Sequence, residues 1–207
     1  MEIRPLSVPG AFEITPRQFP DDRGVFLEMF RGDRLAEVIG HRLEVVQANV
    51  SVSSRGTLRG IHFADVPVGQ AKYVTAFSGS FVDYVIDLRV GSPTFGQWDS
   101  VVLDAVDRRA VYLSEGLGHA VYSLEEGTTA QYLCSAAYNP QAEHGVHPLD
   151  PEVGLVFPDG TEPLLSPKDL TAPSLREAAE RGLLPSYDVC VDWYQGLRGS
   201  RGGLTHQ

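Results

Sequence analysis

The chain has little of what a disulfide scaffold, a membrane protein or a nucleic-acid binder would need. Cys134 and Cys190 are the only cysteines in 207 residues, too few for a disulfide framework and in keeping with a reducing cytoplasm. Long apolar runs are missing. The first twenty residues carry prolines and scattered charges in place of a signal core, and no later segment reaches membrane-spanning length. Positive charge is scarce: 17 Lys and Arg stand against 27 Asp and Glu, a formal net charge of −10. That balance argues against general nucleic-acid binding, so an anionic ligand would need a local basic cluster working against the global field.

Cofactor signatures are missing too. No GxGxxG opens a helix, no GxxxxGK[ST] is present, and there is no Gly-x-Ser-x-Gly nucleophile elbow. His62 has no second His two residues on and no Glu nearby. His144 and His147 lie in a Pro-flanked loop, weakly spaced for zinc and without a cysteine close by. Neither a metal nor a cofactor is expected.

What is present is punctuated strand. The 21 Gly and 14 Pro are spread along the chain, separating short apolar segments rich in Val, Tyr and Phe. Strands are predicted at residues 25–30, 43–53, 57–63, 71–77, 81–88, 97–103, 109–114, 119–124 and 129–135. Helices are predicted at 31–39 and 174–184, the second opening on a Ser-Leu-Arg-Glu capping box. The expected fold is mainly β, a sandwich or barrel with a helical C-terminal piece. The length suits one domain with a core that needs no disulfide or metal.

Alternation is clearest before the first histidine-bearing strand. Gln47, Asn49, Ser51 and Ser53 share one face, and Val46, Ala48, Val50 and Val52 the other. Either the sheet has one wet face, or amides and hydroxyls line a barrel interior that holds a polar ligand. His62, near neutral pKa by nature, is a candidate general base or a buried structural histidine. Lys72 starts an otherwise apolar strand and needs a partner. A turn at Ser78-Gly79 would set Val74 opposite Asp83 and Lys72 diagonal to it, an ion pair or a fixed cation beside a pocket. A second hairpin with its loop at Glu125–Thr128 would put His119 opposite Cys134 and on the same face as Tyr132. Asp169, in Ser166-Pro-Lys168-Asp169, offers a carboxylate that could orient an imidazole, or simply a surface turn.

Several ordered motifs span the chain from about Ile3 to Asp192: Phe19-Pro-Asp-Asp-Arg23-Gly-Val-Phe26-Leu-Glu28, Gln47-Ala-Asn49-Val-Ser51, Leu58-Arg59-Gly-Ile-His62, Gln70-Ala-Lys72, Gly118-His119, Tyr132, Tyr138-Asn-Pro and Leu165-Ser-Pro-Lys168-Asp169. With these the chain closely resembles the dTDP-4-dehydrorhamnose 3,5-epimerase family, whose members act on dTDP-4-keto-6-deoxyhexoses. The resemblance implies a cupin-like jelly-roll domain over residues 1–192 and a homodimer whose N-terminal strand crosses to its partner; the stretch 193–207, with its Gly- and Arg-rich end, reads as a flexible tail. It implies His62 as base with Asp169 as its dyad partner, Lys72 near the C4 oxygen, and Tyr132 as acid on the opposite sugar face. Arg23, Arg59 and Lys168 would meet the diphosphate, and Gln47, Asn49, Ser51 and His119 would line the pocket. Tyr138 and Phe26 would stack on thymine, with Phe26 and Glu28 supplied by the neighbouring subunit.

The chemistry fits those residue types. A proton beside a ketone is removable by imidazole only if a cation stabilises the enolate, and inversion requires reprotonation from the other face. Strict alternation puts Arg59 and His62 on opposite faces, so a bulge or twist near Gly60 is required. A single-site epimerase and a non-catalytic sugar-nucleotide-binding cupin are the alternatives. A base together with an acid favours the enzyme, since binding alone needs neither.

Overall fold

Apolar segments between glycines and prolines become strands, and those at residues 73–76, 81–87, 110–113 and 117–123 are buried on both faces because the middle of each main sheet is covered inside and out. The computed structural model describes residues 1–158 and 162–199. A six-stranded antiparallel sheet runs in the order β1 (Glu2–Pro5), β2 (Ala11–Thr15), β10 (Ala110–Leu113), β7 (Lys72–Ser78), β12 (Thr128–Cys134), β5 (Gln47–Ser53). A five-stranded sheet runs β13 (Glu143–Gly145), β6 (Leu58–Ala64), β11 (Leu117–Ser123), β8 (Ser80–Asp87), β9 (Trp98–Asp104). A separate hairpin pairs β3 (Gln18–Asp21) with β4 (Gly24–Leu27).

The chain passes back and forth between the two main sheets, a jelly-roll path. Val74, Phe81, Val85, Leu103, Val111 and Leu117 pack between them. On the outer face of the six-stranded sheet, helix α1 (Gly32–Ile39) sets Leu35 and Ile39 against Ile14, Tyr73 and Tyr112. On the outer face of the five-stranded sheet, Val146, Val153 and Leu175 cover Ile61, Tyr84 and Tyr122. Leu175 opens α3 (Leu175–Glu180), where the expected capping box between Ser174 and Glu177 is formed in both directions. That helix ends at Glu180, with Arg181 as its C-cap, short of the expected 184.

The two hairpins expected from sequence are not hairpins. β7 pairs with β10 and β12, whereas β8 pairs with β11 and β9, so the Ser78-Gly79 turn carries the chain from one sheet to the other. Val74 therefore faces Val111 and Tyr132 in register, not Asp83. The turn after β11 does the same, since β12 joins the other sheet. Turn residues favour a tight reversal without choosing between pairing and crossing.

Strands β1, β2, β3 and β13 carry no predicted strand; β1 and β3 each contain a proline, which weakens the strand signal. Helix α4 (Tyr187–Gly199) continues past residue 192, where the sequence suggested a tail; residues 200–207 lie outside the described ones. Gly196 and Gly199 lower its intrinsic helicity, and tertiary contacts offset that loss. Cys190 is buried beside Gly116, Tyr194 donates to the Glu115 carbonyl, and Arg198 Nε donates to the Ile39 carbonyl at 3.2 Å.

Candidate active site

The inner faces of the two sheets part at one end around a cavity of about 240 Å³, lined by side chains from both. From β5 come Gln47, Asn49 and Ser51; Val50 also touches the cavity, but it and Val52 are 59% and 64% exposed. The alternation thus puts the polar face inward. Ser53, at the end of that face, is buried and accepts a hydrogen bond from Arg59 Nε at 3.0 Å.

Arg59 and His62 both line the cavity because β6 bulges between them. His62 pairs with His119 but Arg59 pairs with Val121, three steps along β6 against two along β11. Gly60 sits at the bulge with φ +126°, and a Cβ there would lie 2.5 Å from the His119 carbonyl oxygen. Only glycine fits both the dihedral and the space.

His62 Nε2 stands 2.7 Å from Asp169 Oδ1. The carboxylate accepts, so Nε2 is assigned the proton and Nδ1, without a hydrogen-bond partner among the described residues, is left as the acceptor. Asp169 is placed by the short helix α2 (Pro167–Leu170), whose N-cap Ser166 accepts from the Asp169 amide and donates its hydroxyl to Asp169 Oδ2 at 2.8 Å. Burial works against the Asp169 charge. The hydrogen bonds from His62, Ser166 and the Gly60 amide outweigh it, holding the carboxyl below the ordinary carboxylate range.

Lys72 opens β7 and reaches the same cavity. Among the described residues its ammonium has no ion-pair partner within 4 Å. Burial pulls its pKa down, partly offset by Cys134, Glu143 and Asp83. The expected Lys72–Asp83 pair does not form, because Asp83 lies on the facing sheet and binds His119 Nε2 at 2.8 Å. Asp83 is fully buried, so the cavity has a second His–Asp pair that the sequence left unseen. Its signal was an acid inside an otherwise apolar strand, Phe81-Val-Asp83-Tyr-Val.

Tyr132 and His119 share the cavity face as expected, although they reach it from opposite sheets; their rings meet edge to face, centroids 5.9 Å apart. Burial pushes the Tyr132 phenol up to about 12. The Ser51 hydroxyl, 3.2 Å from the phenol oxygen, and the nearby Arg59 pull it back, while Asp83 adds to the rise. Tyr138 lines the cavity and its amide donates to Gln47 Oε1 at 2.9 Å. Val50, Gln70, Val121, Cys134 and Glu143 complete the wall, none of them singled out from the sequence as a site residue.

Five expected site residues do not line the cavity of this chain: Asp169, which reaches it only through His62, and Arg23, Phe26, Glu28 and Lys168. Arg23 is exposed and pairs with Asp21 at 2.6 Å, Phe26 is 69% exposed, and Glu28 pairs with Arg31. All three belong to or follow the β3–β4 hairpin. Lys168 is exposed on α2, one residue before Asp169. Among the described residues, no three His, Cys, Asp or Glu side chains gather into a group able to hold a metal ion.

A jelly roll whose polar cavity holds an oriented imidazole, a buried ammonium and a phenol is the setting of a cupin-like isomerase. The model of the dTDP-4-dehydrorhamnose 3,5-epimerase family matches residues 5–177. A dTDP-4-dehydrorhamnose 3-epimerase of Streptomyces niveus is 57% identical over 190 residues, covering 92% of this chain and 91% of the relative. The structure of the rmlC epimerase of Mycobacterium tuberculosis superposes with a TM-score of 0.94 at 49% identity, covering 96% of this chain and all of that one. The structure of ChmJ, a 3'-monoepimerase from Streptomyces bikiniensis in complex with dTDP-quinovose, superposes with a TM-score of 0.91 at 48% identity, covering 94% and 98%. The chain belongs to the dTDP-4-dehydrorhamnose 3,5-epimerase family, and it is an isomerase of that type.

Proposed function

We propose that the protein inverts C3 and C5 of dTDP-4-keto-6-deoxyglucose without a cofactor. The observation that carries this is the pairing of His62 Nε2 with Asp169, which leaves Nδ1 as the acceptor of a ring that lines the same cavity as Lys72 and Tyr132. His62 takes a proton from the carbon beside the C4 ketone, and Asp169 holds the ring in the right tautomer and stabilises the imidazolium. Lys72 stabilises the enolate oxygen, a contribution of about 3–4 kcal/mol if it matches an oxyanion-hole donor. Tyr132 delivers a proton from the opposite face.

Arg59, with Arg23 and Lys168, meets the diphosphate, which gives a negatively charged chain a local anion site. Gln47, Asn49, Ser51 and His119 hold the sugar, and Tyr138 and Phe26 stack on the base. The solved relative bound to dTDP-quinovose supports a nucleotide-linked sugar in this position.

Arg23, Phe26 and Glu28 reach the site from a second copy, so the working unit is a homodimer. Two features support it. The β3–β4 hairpin pairs with neither main sheet and exposes Phe19, Val25 and Phe26. Beside the cavity, β5 is an edge strand exposing Val50 and Val52, with exposed Val46 just before it, a surface that a partner would cover. Sedimentation should show a dimer, and a monomer fully active at nanomolar concentration would contradict this. The two free, buried cysteines fit a reducing cytoplasm.

Inversion at C3 alone is the second reading, favoured by the 57% identical relative named as a 3-epimerase. Incubation in heavy water followed by NMR decides between them. Label at both carbons with inverted product supports the 3,5-epimerase, and label confined to C3 the single-site enzyme.

A further inference from the structure

The Ser51 hydroxyl and the Tyr132 phenol are 3.2 Å apart, and among the described residues each is the other's only hydrogen-bond partner. Ser51 stands on the edge strand β5 and is half-buried, while Tyr132 comes from the next strand inward, β12. The serine hydroxyl is therefore the polar group between the phenol and the sheet edge, with an acceptor and a donor position left for water.

From this contact, and resting on Tyr132 as the acid, we propose that Ser51 is a positioning residue that returns a proton to Tyr132 after each inversion. The need for a return path follows from the proton count. His62 breaks the C–H bond and keeps the proton on Nδ1, and the electron pair becomes the enolate. Tyr132 then gives its O–H proton to the other face of that carbon and is left as phenolate. The sugar lies between the two groups, so His62 cannot hand its proton directly to Tyr132. Neither group is ready for a second carbon, or for a new substrate, until both are reset.

Through Ser51 the reset balances. The phenolate takes the serine proton as Ser51 takes one from water, and the imidazolium proton neutralises the hydroxide so formed. Between these events the serine O–H donates to the phenolate, with the Arg59 charge nearby. Burial that pushes the phenol up to about 12 makes such stabilisation necessary, and Ser51 and Arg59 both act in the stabilising direction.

The test compares Ser51→Ala and Ser51→Thr with the parent, using dTDP-4-keto-6-deoxyglucose in heavy water. NMR reads both deuterium wash-in and product stereochemistry. At saturating substrate, loss of the hydroxyl should lower wash-in far less than inversion, because His62 still abstracts. Inversion should fall roughly tenfold, a fraction of the 10²–10⁴ that a positioned acid contributes. Ser51→Thr keeps a hydroxyl on a residue that suits a strand, and should restore the inversion-to-exchange ratio. An unchanged ratio in Ser51→Ala, or equal losses in Ala and Thr variants, would overturn the role of Ser51. Tyr132→Phe separates the two levels. If it inverts as fast as the parent, the acid itself is misassigned; if it loses inversion while Ser51→Ala keeps it, only the serine relay fails.

Discussion

A Cβ on residue 60 would lie 2.5 Å from the carbonyl oxygen of His119. That close approach lets β6 bulge against β11, and the bulge brings Arg59 round to the cavity face that His62 already occupies. A backbone contact between two strands thus sets the spacing of Arg59 and His62, the proposed diphosphate cation and base.

Gly60→Ala should accordingly cost both stability and activity. Strain at φ +126° and overpacking against β11 together are worth about 2–4 kcal/mol. In a chain of this size that lowers Tm by roughly 5–15 °C. Thermal unfolding and a steady-state assay on one preparation check it; an alanine variant with parental Tm and turnover would show that the bulge does not position the site.

Lys72→Met keeps the length of the side chain and removes its charge. Turnover should fall about 10²–10³-fold, as for loss of an oxyanion donor, while the dissociation constant for dTDP changes little. The parent should keep its rate in EDTA, because the oxyanion is assigned to Lys72 and no metal-binding group forms among the described residues. Chelator inactivation reversed by one divalent ion would refute that assignment.

Acid should expose the Asp169 contacts. Its carboxyl is held below the ordinary range, so the associated stabilisation is fully present above the unfolded-state pKa of about 3.9 and is lost as pH falls through the lower folded value. Asp169→Asn should therefore melt below the parent at pH 7, with the gap closing below about pH 4. A gap that is constant with pH would mean that the aspartate charge contributes nothing to the fold.

Most of the strands were legible in the sequence because glycine and proline bracket their apolar runs. Their partners were not: Ser78-Gly79 marks a reversal equally well for a hairpin and for a crossing between sheets, and here it crosses. The shared face of His119 and Tyr132 survived that error, because inward positions of two facing sheets meet in one cavity. Asp83 escaped notice as the partner of His119 since 36 residues separate them and only the β8–β11 register joins them. The alternation of β5 was plain, but which side faced inward depended on its place beside the cavity. The need for a bulge at Gly60 could be deduced from Arg59 and His62 alone. Arg23, Phe26 and Glu28 had no local signal and came only from resemblance to a family.

Abstraction by His62 is the centre of the account, and deuterium wash-in from heavy water measures it directly. With dTDP-4-keto-6-deoxyglucose, His62→Asn should lower exchange at the sugar carbons by about 10²–10⁴-fold while dTDP binds nearly as tightly as to the parent. Near-parental exchange in that variant would contradict the account and move the base elsewhere, with His119 the next candidate.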